Sequence, residues 1–148
     1  SVLPFGANCA YLREQLLPEG YDPGLGPSRQ TGLRGGEDTV VALRLQGRGG
    51  RLRWVPDAVV HHPVSADRMT PDYVAEGYAL QGVESVRFLR ALGMPTRSVA
   101  DARRRLRRHQ LRRLLSRLFR PRRVLREQLR CRFYRGMIDE LQRDGGAR

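Results

Sequence analysis

Two adjacent carboxylates, Glu37 and Asp38, follow the glycine pair Gly35-Gly36 and open a run, residues 39–46, in which Val40, Val41, Leu43 and Leu45 read as a helix. An acid in the first turn of a helix faces unsatisfied backbone N–H groups and the positive end of the helix dipole, which favours its ionised form. An ionised carboxylate at the lip of a loop suits general-base work on a hydroxyl; the same pair also suits an ordinary N-terminal cap. His61-His62 close the apolar segment 58–60, and a strand end that delivers a polar ring is a common place for a site residue. Gly6 permits close approach of backbone to a ligand, and Asn8 has a side chain for a ligand hydroxyl or for capping the helix that follows.

Positioning these groups falls to a chain of mixed pattern. Residues 10–17 read as a short helix, with Leu12, Leu16 and Leu17 apolar. Residues 18–36 are rich in Gly and Pro and lack periodicity, as a functional loop would be. After the helix at 39–46, Gly47, Gly49 and Gly50 stop the chain, and 51–55 and 58–60 read as two short strands around a Pro56-Asp57 turn. Thr70-Pro71-Asp72 is a helix start, with a capping hydroxyl, a proline at the first helical position and an acid for the dipole. That helix is expected to run to about Leu92, with a bend near Gly82; two more follow, from Ser98 or Val99 to about Leu118, broken by Pro121, and from Val124 to Leu141. Two strands are marginal alone, so the pattern predicts an α/β chain that contributes part of a larger sheet and continues as helices.

The 148 residues suffice for one modest domain, and all 28 basic residues are arginine. The charge is uneven. Residues 97–135 hold 16 arginines against Asp101 and Glu127, a net of about +14, and the remainder is near −1. Cys9 and Cys131 are too few for a disulfide framework and read as buried thiols. No signal peptide is evident, and no apolar run approaches the roughly 20 residues that a membrane-crossing helix needs. The opening Ser-Val-Leu-Pro-Phe-Gly, without an initiator methionine, reads as a fragment boundary.

In order, the chain carries Pro4-Phe5-Gly6-Ala7-Asn8, Gly20-Tyr21-Asp22-Pro23 with Leu25-Gly26, Gly36-Glu37-Asp38-Thr39, Leu43-Arg44-Leu45, Arg53-Trp54-Val55-Pro56-Asp57-Ala58-Val59-Val60 and His62. This series resembles the C-terminal half of a family 2 glycosyltransferase. The resemblance covers residues 3 to about 92 and rests on the order and spacing of pieces that are individually unspecific. It implies a partial GT-A (nucleotide-diphospho-sugar transferase) fold lacking its N-terminal nucleotide-binding half, residues 1–95, followed by an arginine-rich helical extension, residues 96–148. The implied activity is inverting transfer from a nucleotide-sugar donor to an acceptor hydroxyl on a glycan or a lipid-linked acceptor. In that family an Asp-x-Asp motif holds a divalent metal, Mg or Mn, against the diphosphate. This chain has no Asp-x-Asp, so the resemblance implies an inactive fragment that does not hold the metal tightly alone.

The resemblance makes Asp38 the catalytic base, with Glu37 orienting the loop or the acceptor. It makes His62 the metal or diphosphate contact. Gly6, Ala7 and Asn8 then lie beside donor sugar and acceptor, and Tyr21 and Asp22 line the acceptor pocket. Trp54 either stacks on a sugar or packs in the core, and Arg29 and Arg34 either reach phosphate or stay solvated. In the tail, Leu106, Leu111, Leu114, Leu115, Leu118 and Phe119 recur at near-helical spacing among arginines. Such a helix either lies on an anionic membrane surface, at the cytoplasmic inner face, or packs its leucines on the preceding domain. The alternative to a transferase is a noncatalytic basic module on membrane or nucleic acid. The tail lacks interleaved aromatics or a reading motif, so no sequence-specific nucleic-acid contact is expected.

Overall fold

The computed structural model describes residues 6–17, 20–27 and 32–143, and the regular structure among them is helical. Five α-helices follow one another: α1 (Arg13–Leu16), α2 (Glu37–Gly47), α3 (Pro71–Ala91), α4 (Val99–Phe119) and α5 (Val124–Arg143), with 3-10 turns at Ala66–Met69 and Pro121–Arg123. The starts of α3 and α4 have the chemistry read from the sequence. The Tyr73 N–H donates to Thr70 Oγ1 at 3.2 Å behind Pro71, and the Asp101 N–H donates to Ser98 Oγ at 3.1 Å.

The expected α/β architecture, a partial GT-A fold, is overturned. Among the described residues there is no sheet; bridging is limited to isolated residues such as the parallel contact between Pro27 and Leu33. Residues 51–55 and 58–60, read as strands, are irregular and pair in no ladder, and 51–72 is exposed throughout. The reason is elementary. A strand is completed by a neighbour's backbone groups, and Pro56 with its turn leaves two pieces too short to complete one another. Trp54, at 73% exposure, accordingly packs in no core.

Two apolar clusters share α3. On one side Val86 packs with Ala102 of α4 and Tyr134, Met137 and Ile138 of α5. On the other, Leu25, Leu33 and Val40 of the loop and α2 pack against Val83, Phe88, Ala91 and Leu92. The α3–α5 contact is a glycine crossing. A Cβ on Gly82 would run into the Phe133 carbonyl oxygen and lie 2.7 Å from Met137 N; one on Gly136 would run into the Ala79 carbonyl oxygen. Gly82, read from sequence as a bend, is thus the point where two backbones meet.

Acids fix the helices around this crossing. Glu140, 5% exposed, accepts from Arg87 Nε at 2.7 Å and from its second nitrogen at 3.2 Å, with Arg90 at 3.6 Å. Glu127 Oε2 meets His109 Nδ1 at 2.7 Å, and the His109 ring stacks on Tyr134. Asp101 accepts from Arg97, Arg104 and Arg105, and the bonds from Arg104 and then Arg105 hold its carboxyl far below the usual carboxylate range. No helix among the described residues is long and apolar enough to cross a membrane.

Candidate functional site

The two-carboxylate motif is placed by the elements around it. Glu84 of α3 accepts the backbone N–H groups of Arg34 and Gly35 through one oxygen, at 2.7 and 3.2 Å, and so fixes the chain just before α2. Gly36 then turns at φ 109°, a conformation that L side chains rarely adopt, and α2 begins at Glu37. At the far end of α2, Arg44 donates to the Ala91 carbonyl at 2.7 Å. The helix that carries the acids is therefore tied to α3 at both ends.

Within its first turn, Asp38 Oδ1 accepts from the Thr39 N–H at 2.6 Å and from the Thr39 hydroxyl at 3.2 Å. Its Oδ2 faces Gly6, where an added Cβ would stand 2.9 Å away. Glu37 lies against Gly26 in the same manner. A Cβ on Gly26, which has φ +82°, would stand 2.9 Å from the carboxyl carbon and from Oε2. Glu37 Oε2 is buried and has no hydrogen-bond partner among the described residues. Each acid is thus covered by a glycine from a distant loop, and the two loops are the Gly6-Ala7-Asn8 and Leu25-Gly26 pieces singled out in the sequence.

The other candidates divide. Asn8 donates to the Ala58 carbonyl at 2.6 Å, which ties the first segment to the exposed 51–65 stretch. Tyr21 meets Tyr11 edge-on at a centroid distance of 6.4 Å, and the Tyr11 hydroxyl donates to the Asp38 carbonyl at 3.4 Å. Burial, first of all, pushes both phenols above the usual tyrosine range, with Cys9 and Asp38 adding to it, so both stay protonated. Gly6, Tyr21, Glu37 and Asp38 therefore lie in one neighbourhood, while Asn8 is turned to Ala58. Asp22 has a local job instead: its Oδ1 accepts from the Gly24 N–H at 2.8 Å, and its Oδ2 lies 4.0 Å from Arg44. His62 sits exposed on the irregular stretch before α3.

The metal implied by the resemblance does not fit these residues. No group of three His, Cys, Asp or Glu side chains comes together among the described residues. Arg34 is half-buried and engaged within the chain. Its guanidinium lies 3.8 Å from the Tyr73 ring centroid, donates to the Tyr73 carbonyl and pairs with Glu76 at 2.8 Å. Arg29 lies outside the described residues. Cys131 is buried, Cys9 is half-buried, and both are free thiols.

Sequence reasoning missed Tyr11, Gly26, Thr39 and Ala58 as parts of this neighbourhood. Gly26, Thr39 and Ala58 carried a signal, since all three stand inside the quoted motifs; Tyr11 enters by contacts that no spacing rule reveals. Compared with protein families, with curated proteins and with solved structures, the chain matches none of them.

Proposed function

We propose that the chain supplies the acceptor-activating part of an inverting glycosyl-transfer site. The observation that carries this reading is the seating of Gly6 on Asp38 Oδ2. It joins two motif segments 32 positions apart around one carboxylate oxygen that no described residue hydrogen-bonds. In this reading Oδ1 is fixed by Thr39, and Oδ2 takes the proton of an acceptor hydroxyl as that oxygen attacks the anomeric carbon from the face opposite the leaving nucleoside diphosphate. The anomeric C–O bond to the diphosphate breaks as the new bond forms, so one base and one displacement give inversion. Proton removal is assisted because the attacking hydroxyl grows more acidic as its bond to carbon forms. Glu37 and the phenols of Tyr11 and Tyr21 shape the acceptor side. The donor diphosphate and any metal are held by groups other than those described, so no step is assigned to them.

The test is transfer by the natural gene product from a panel of uridine, guanosine and thymidine diphosphate sugars, read as nucleoside diphosphate release and as the anomeric configuration of the product by NMR. Asp38→Asn is expected to lower turnover by about 100-fold or more. Gly6→Ala is expected to lower it by crowding Oδ2 without unfolding the chain. Undiminished turnover in Asp38→Asn, or retention of configuration, refutes the reading.

A further inference from the structure

On α4 the exposed leucines are not the ones that pack. At 100° per residue, Leu111, Leu114, Leu115 and Leu118 fall in a sector about 100° wide. The buried or half-buried Ala102, Leu106, His109 and Ser116 centre on the opposite side, toward α5. The stripe is exposed: Leu118 at 72% and the adjoining Phe119 at 76%. It is also surrounded by one sign of charge, because residues 103–126 contain 12 arginines and no acid.

Along the flank between the stripe and the packed face runs a cavity of about 200 Å³, lined by Gln110, Arg113, Leu114 and Arg117 of α4 and by Cys131 and Arg135 of α5. Three guanidinium groups line it and no carboxylate does. Arg113 Nε is buried there and has no hydrogen-bond partner among the described residues. A buried donor without an acceptor is costly, and a planar guanidinium donor matches a tetrahedral oxyanion.

We propose that this cavity binds the phosphate of an anionic lipid headgroup, and that the leucine stripe beside it lies in the acyl boundary of the same membrane surface. A phosphate oxygen supplies the acceptor that Arg113 Nε lacks, with Arg117 and Arg135 neutralising its charge. A free phosphate or a nucleic-acid backbone has the same oxyanion, but neither covers the apolar stripe, and the lipid does both. The inference stands on α4 and α5 and is independent of the glycosyl-transfer reading.

The test is flotation of the full chain with phosphatidylcholine vesicles and with the same vesicles containing phosphatidylglycerol. Binding is expected only to the second. The double variant Arg113→Gln/Arg117→Gln is expected to weaken it on the order of tenfold, while Arg51→Gln/Arg53→Gln, with the same loss of charge on the exposed stretch, changes it about twofold or less. Leu114→Ser/Leu118→Ser is expected to weaken binding comparably, and thermal melting followed by circular dichroism verifies that each variant is folded. Arg113→Lys, which keeps the charge and loses the fork, is expected to bind less well than the wild type and keeps the test open should the double variant unfold. Equal losses in the two arginine pairs overturn the cavity, and full binding by the leucine variant overturns the membrane surface. So does displacement of the chain from vesicles by RNA or inorganic phosphate at equal phosphate concentration.

Discussion

Gly82→Ala adds one carbon at the α3–α5 crossing, and its cost follows from what that carbon meets. The new Cβ would collide with the Phe133 carbonyl oxygen and lie 2.7 Å from Met137 N and 3.0 Å from the Phe133 carbonyl carbon. These are backbone atoms, so no rotamer change relieves them. Bringing the approach to Met137 N out to the 3.4 Å of ordinary contact moves the helices apart by at least 0.7 Å. That gap opens along Val86, Met137 and Ile138, which form the core there. Overpacking of this kind costs about 1–3 kcal/mol, and a forced separation of backbones belongs at the upper end or beyond. Alanine returns about 1 kcal/mol of helix propensity. The net expectation is a loss of about 2–3 kcal/mol. Urea unfolding of the full chain, followed by far-ultraviolet circular dichroism, reads it as a lower midpoint. Gly47→Ala in α2 is the control, because its Cβ meets nothing within 4 Å, and it is expected to be neutral or slightly stabilising. Gly82→Ala matching Gly47→Ala in sign would refute the crossing. The pair Gly82→Ala/Gly136→Ala is expected to cost less than the sum of its parts, since helices already parted accommodate the second methyl.

Glu140→Gln removes the acid that Arg87 and Arg90 share at the α3–α5 interface and is expected to cost about 3 kcal/mol in the same assay; a change below 0.5 kcal/mol would place the pair among surface bridges of little worth. Asp101 has a folded-state value lowered by its arginines, so its contribution is present above the ordinary carboxylate value of about 4 and is lost only as pH falls further, through the folded value. The stability difference between wild type and Asp101→Asn is therefore expected to stay flat from neutral pH down to about 4, and a difference that already shrinks near pH 6 contradicts the three-arginine cluster.

The long helices were legible because their ends carry local chemistry. Thr70-Pro71-Asp72, Ser98 and Pro121 act on backbone groups within a turn of themselves, and the observed bounds of α3, α4 and α5 agree with the reading to within two residues. The strands were not legible in that sense. Leu52, Trp54, Val55 and Val59 have the composition of strands, but a strand exists only with a partner, and composition does not say whether the partner is there. Gly82 looked like a bend because a glycine's use as a contact is invisible without the helix it touches. Arg34 read as a solvated or phosphate-reaching charge for the same reason, and the pairing of Glu127 and Glu140 across helices had no sequence signal. In the candidate site, the motif order pointed to Gly6, Glu37 and Asp38. The covering of each carboxylate by a glycine depends on the loops folding back, which no spacing encodes.

The exposed stretch 51–65 has a consequence for solubility. Its exposed, unpaired backbone and its Trp54, Val55, Val59 and Val60 side chains are what edge-to-edge stacking of chains draws on. Yet Pro56 and Pro63 each remove a donor, Arg51, Arg53 and Asp57 place charges between the apolar residues, and the longest unbroken apolar run, residues 58–60, is half the length of an amyloid-forming window. The stretch is thus open along its length but interrupted too often to template copies of itself.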